Sequence, residues 1–253
     1  MSRLDAAPPG PQRTVLRKYP IYLLLDVSES MQRPDHHGRS SLDVFGPMMS
    51  ELVLSLQGAA WARPTVWIKV LAFSERVQVL REMTSLSLTE SFPELEMGHE
   101  TDYAAALRYL ADTHLEDFQR INLSASRLGH RAQIRPPLVF IITDGAPYVG
   151  GRNQPQAAWQ RERDRLVNGT MQAWIAAISV RPEHQGTLWD LATGSSRGDQ
   201  RNAFLAKAGA RAEGLATSIH QCITQSIKRS VRAGDRLMTT PDGMERAARD
   251  AAR

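Results

Sequence analysis

Two segments of the chain place carboxylates and hydroxyls directly after apolar runs. Ile21-Tyr22-Leu23-Leu24-Leu25 leads into Asp26-Val27-Ser28-Glu29-Ser30, and more than a hundred residues later Leu138-Val139-Phe140-Ile141-Ile142 leads into Thr143-Asp144-Gly145. Hydroxyls at every second position after Asp26 let Ser28 and Ser30 face one point. Oxygen-only donors suit a hard divalent cation, Mg²⁺ or Mn²⁺, better than a soft one. Mg²⁺ keeps several waters and uses few protein carboxylates directly. Two hydroxyls as direct ligands, with carboxylates reaching the metal through water, would leave the ion under-neutralised and seeking an anionic ligand from outside. That is binding chemistry, with a partner's carboxylate as the expected ligand.

Such an arrangement requires both runs to be strands that end on one edge of a sheet. Each is continuously apolar, as expected for strands covered on both faces, and the carboxyl edge of an open parallel sheet is where ligands bind. Between them, Val44, Met48, Leu52 and Leu56 predict an amphipathic helix, starting near Phe45 or kinked at Pro47. Residues 65–73 predict a strand, with 77–80 as a short partner across Ser74-Glu75-Arg76, followed by an irregular passage over 81–100. A helix carries Ala104, Leu107, Leu110, Ala111, Leu115 and Phe118 on its apolar face, and 121–136 reads as a polar connector. Further on, a charged helix over 156–167, a strand over 174–180 and a short helix near 188–192 precede a final helix with the stripe Leu215, Ile219, Ile223, Ile227 and Val231. Strands alternating with helices predict a doubly wound, mostly parallel α/β sheet. The expected organisation is a disordered leader over 1–18, one domain over 19–232 and a basic, loosely ordered tail over 233–253.

Composition narrows the function classes. The chain has 253 residues, 42% hydrophobic and 23% charged, enough apolar material for one sizeable core. No apolar stretch reaches bilayer length and the N-terminal residues lack a signal-peptide pattern, so a cytoplasmic protein is expected. The single cysteine, Cys222, excludes a disulfide framework and reads as a buried thiol in the final helix. His36 and His37 lack further ligands at zinc spacing and read as a solvated loop. The net charge is +4, and from position 197 onward eleven basic side chains face six acidic ones. No nucleic-acid motif accompanies that excess. Ser28 has no Gly-x-Ser-x-Gly elbow around it, and the glycines of 145–151 lack a phosphate-loop lysine.

Taken together, Asp26-x-Ser28-x-Ser30, Thr101 and Asp144 resemble the metal-ion-dependent adhesion site of the von Willebrand factor A domain family, over roughly residues 19–232. The resemblance implies Ser28, Ser30 and Thr101 as direct ligands, with Asp26 and Asp144 acting mainly through water. Read alone, Thr101 would be an N-cap for the helix that follows; Asp102 can perform part of that capping. Residues 22–26, 66–74, 101–107 and 143–147 are similar to the TerY-like, tellurium-resistance-associated bacterial branch. That likeness implies an adaptor in a stress or defence module, with a protein kinase and a PP2C-like phosphatase as partners. Two departures stand out: Glu29 where the family usually has glycine, and His99-Glu100 ahead of Thr101, which bring Glu100 within reach of the cation.

Two other functions compete with this one. A Mg²⁺-dependent phosphoester hydrolase would use Asp26 as nucleophile, but such folds commonly carry a second aspartate two residues on, where Ser28 stands. A nucleic-acid-binding protein would act through the basic C-terminal region.

Overall fold

The computed structural model describes residues 14–34, 38–87, 92–194, 200–234 and 238–249. The zinc reading of His36 and His37 therefore lies outside the described residues, as does most of the leader.

In chain order the elements are β1 (Val15–Asp26), α1 (Glu29–Gln32), α2 (Ser41–Gly58), β2 (Val66–Phe73), β3 (Val77–Ser85), α3 (Tyr103–Arg127), β4 (Arg131–Ile134) and β5 (Leu138–Thr143). They continue with β6 (Tyr148–Val149), β7 (Arg152–Asn153), α4 (Gln156–Asn168), β8 (Trp174–Ser179), α5 (Gln185–Leu191), β9 (Ala203–Ala206), α6 (Ala212–Ala233) and β10 (Met244–Arg246). The main sheet runs β10-β9-β8-β5-β1-β2-β3, with β4 also paired to β1. Its centre is parallel and both outer pairs, β2–β3 and β9–β10, are antiparallel. This is the doubly wound α/β architecture that the alternating pattern predicts.

β1 and β5 are buried along the core because both faces are covered. Ile21, Leu23 and Leu25 pack under α2 and α6, while Tyr22 and Leu24 pack under α3, with α4 and α5 on the same side. The parallel register pairs Leu25 with Ile142, so Asp26 and Thr143 leave neighbouring strands at the same level. Next to β1, β4 and β5 form one interrupted line, broken where Pro136 and Pro137 have no N–H to donate to the ladder.

Several boundaries differ from expectation for local reasons. α2 starts at Ser41, with Pro47 inside it, because Ser40 and Asp43 form a reciprocal capping box. α3 runs on to Arg127, since its buried stripe continues through His114, Asp117, Ile121 and Ala125; the expected connector then contains β4. β1 begins at Val15, four residues into the expected leader, by pairing with β4. The segment past Gly234 returns to the sheet: Met238, Met244 and Ala247 are buried, and β10 pairs with β9. It is held there by Asn202, whose Oδ1 accepts from Met238 N at 2.9 Å. Among the described residues, no helix is long and apolar enough to cross a membrane.

Candidate metal centre

Asp26 ends β1 with no exposed surface, and both its oxygens are engaged. Oδ1 accepts from Ser28 N at 2.9 Å, and Oδ2 accepts from the Thr143 hydroxyl at 2.6 Å. From there the polar contacts run outward. Ser28 Oγ lies 3.1 Å from Ser30 Oγ, and Ser30 Oγ donates to Asp144 Oδ1 at 2.8 Å. Four of the five expected site residues are thus joined in one chain of hydrogen bonds, although they span 118 positions of sequence from Asp26 to Asp144.

Thr101, the fifth, lines a cavity of about 550 Å³ together with Ser30 and Asp144, and Glu29, His99 and Arg181 also line it. Thr101 is fixed by a reciprocal pair of 2.9 Å backbone bonds with Tyr148 on the β6–β7 hairpin. Asp102 caps α3, accepting from Ala105 N at 2.8 Å and from the Gln154 amide at 2.7 Å. The capping role therefore falls to Asp102, and the Thr101 side chain is left for the cavity. Gly98 closes this side of the site: its N–H donates to Val27 O, its carbonyl accepts from Gln32, and a Cβ there would collide with Ser74.

Burial governs the electrostatics. Desolvation pushes the Asp26 carboxyl up to about 7, the bonds from Thr143 and Ser28 oppose that rise, and the nearby Asp144 charge adds to it. Tyr103, whose hydroxyl donates to Gly145 O at 2.6 Å, is raised far above the usual phenol range by burial. Asp144 is buried, and its Oδ2 accepts no hydrogen bond while lying 3.2 Å from Arg181 Nε. Arg181 also donates from Nη2 to Ser30 O at 3.0 Å.

This donor set fits a hard divalent cation. It offers hydroxyl and carboxylate oxygens, one of them buried without a hydrogen bond. Among the described residues no group of three or more His, Cys, Asp or Glu is placed to hold a metal ion, so hydroxyl oxygens would have to supply much of the coordination. Glu100, expected within reach of the ion, instead accepts from Gly150 N at 2.7 Å and is absent from the cavity wall. It pins the β6–β7 hairpin that holds Thr101. Sequence reasoning missed Thr143 and Arg181. The first was signalled by its place beside Asp144 at a strand end; the second lies just past β8, where nothing local marks it.

Residues 21–146 match the von Willebrand factor type A domain. That match covers 126 of the chain's 253 residues. Among solved structures it is similar to the pilus adhesin SpaC from Lactobacillus rhamnosus GG, at 11% identity and a TM-score of 0.53 over 86% of this chain and 31% of that one. Proximal thread matrix protein 1 from the mussel byssus, solved with a zinc-occupied MIDAS motif, is 17% identical over 72% of this chain and 43% of that one, with a TM-score of 0.47. The ArnB paralog VWA2 from Sulfolobus acidocaldarius is 15% identical over 82% and 45%, also with a TM-score of 0.47. The likeness to SpaC concerns the fold alone, and the chain spans less than half the length of each of the three. No curated protein matches the chain.

Proposed function

We propose that the chain is a von Willebrand A domain and a metal-dependent protein-interaction module whose Mg²⁺ or Mn²⁺ captures an aspartate or glutamate of a partner. The observation that supports it is the convergence of Asp26, Ser28, Ser30 and Asp144 in one bonded chain, with Thr101 on the same cavity wall. Ser28, Ser30 and Thr101 would bind the ion directly, with Asp26 and Asp144 acting mainly through water. The bound ion supplies an electrophile for a partner's carboxylate. The chain's own residues set its strength: Thr143 and Ser28 orient Asp26, and Arg181 competes for Asp144.

The TerY-like resemblance extends the proposal to a cytoplasmic adaptor in a bacterial stress or defence module, with a protein kinase and a PP2C-like phosphatase as partners. Capture of a kinase or phosphatase encoded beside this gene tests it. Binding is expected to require Mg²⁺ or Mn²⁺ and to vanish with EDTA or in Asp26→Ala. Capture unchanged by either treatment contradicts the reading.

Two observations favour binding over the alternatives. Asp26 lies beneath the cavity with both oxygens occupied, which is poor placement for a nucleophile that must reach phosphorus. Part of the basic C-terminal charge is spent internally: Arg246 donates to Met238 O at 2.6 Å and stacks over Phe204 at 4.8 Å.

A further inference from the structure

Three arginines from separate parts of the chain line a second cavity, of about 450 Å³, beside the candidate metal centre. Arg33 follows α1, Arg39 precedes α2, and Arg181 follows β8; Leu215 and Val180 contribute apolar surface. Arg33 and Arg181 line the metal-site cavity as well, so the two cavities share a wall. The geometry points to an anion-binding pocket that takes a phosphoryl group of a protein partner, next to the point where the metal takes a carboxylate.

The charge pattern selects the ligand. Three guanidiniums offer more donors than one carboxylate, with two oxygens and one negative charge, can satisfy. A phosphoryl group brings three acceptor oxygens and nearly two charges, and guanidinium binds it in two-pronged fashion. At present Arg33 pairs with Glu29 at 3.2 Å and Arg39 with Glu213 at 2.9 Å. All four of these side chains are more than half exposed, and such pairs contribute little. An incoming dianion displaces these two pairs at small cost, while Arg181 stays paired with Asp144 and bonded to the Ser30 carbonyl. The apolar surface suits the stem of a phosphorylated side chain, and continuity with the metal cavity suits an extended peptide. A duplex or a membrane surface would need a broad basic face, whereas these arginines sit among Glu29, Glu213 and Asp144. The second anchor, a carboxylate on the metal, rests on the proposed function; the arginine pocket does not.

Titration calorimetry on the full chain in EDTA, with inorganic phosphate and then with a phosphoserine peptide as probes, separates the two. Both probes are expected to bind without metal, and the Arg33→Gln/Arg39→Gln variant is expected to lose at least tenfold in affinity while keeping its melting temperature. Asp26→Asn is expected to leave phosphate binding in EDTA intact, so a failed metal site cannot masquerade as a failed pocket. With Mn²⁺ present, a peptide carrying both aspartate and phosphoserine should bind the native chain more tightly than either singly charged peptide. No binding of phosphate or phosphopeptide in EDTA overturns the inference, as does undiminished binding by the double variant. Binding to phosphoinositide vesicles or RNA without binding to the phosphopeptide overturns the choice of a protein ligand.

Discussion

At the scale of single residues, the site depends on how Asp26 is held and charged. Thr143→Val removes the 2.6 Å bond to Oδ2 without changing side-chain shape much. Loss of such an orienting partner weakens metal binding by about 10–100-fold, and Mn²⁺ calorimetry on the folded variant checks this. Arg181→Gln acts in the opposite direction. With the guanidinium gone from Asp144, affinity for Mn²⁺ should rise by roughly fivefold, the worth of about 1 kcal/mol for a part-exposed ion pair, while Arg181→Lys should stay near native. A third outcome concerns pH. The Asp26 carboxyl, raised to about 7 in the folded chain, keeps a proton that the unfolded chain releases near pH 4. Metal-free stability should therefore fall as pH rises from about 4 through 7 and level off above. Metal affinity should rise over the upper part of that range, with a proton released on binding. Melting curves in EDTA at pH 5 and pH 8 test the sign; greater stability at pH 8 would show that Asp26 is not the buried, proton-holding group described.

At the scale of elements, α3 shows what could and could not be read from the sequence. Its first half was legible because Ala104, Leu107 and Leu110 repeat at helical spacing. Its last turns, past Phe118, were not, and the stripe was placed on Leu115, which is exposed, because two of its positions are His114 and Asp117, both buried. They belong there because they have partners. Asp117 accepts from Lys69 Nζ at 3.2 Å and from the Tyr22 hydroxyl at 3.1 Å, tying α3 to β2 and β1. Burial holds the Asp117 carboxyl above the usual carboxylate range, against the pull of Lys69. Removing one member of a buried pair leaves an uncompensated charge, so Lys69→Met should cost about 3–5 kcal/mol in urea unfolding. Adding Asp117→Leu and Tyr22→Phe should restore much of that loss, and a neutral single variant would show that the network carries no stability. β10 was missed for a related reason: its one apolar residue, Met244, stands beside Glu245 and Arg246, and pairing with the edge of β9 is what makes a strand there.

At the scale of the molecule, the alternation of strands and helices was enough to foresee the doubly wound sheet, because covered strands and amphipathic helices permit few other arrangements. Part of the candidate site was legible too, since Asp26 and Asp144 follow apolar runs that form buried strands. That both end on one sheet edge was expected; their level was not legible, because it depends on the register that sets Leu25 against Ile142 and brings Asp26 beside Thr143. Nor did any local signal mark Arg181, whose position depends on β8 lying next to β5. The proposed function requires a divalent cation to be held where these elements meet. Calorimetry of Mn²⁺ and Mg²⁺ into the chelator-stripped chain tests that most directly. The expected result is one ion per chain, with the heat lost in a folded Ser28→Ala/Ser30→Ala variant; no heat with either ion, or the same heat in that variant, would contradict it.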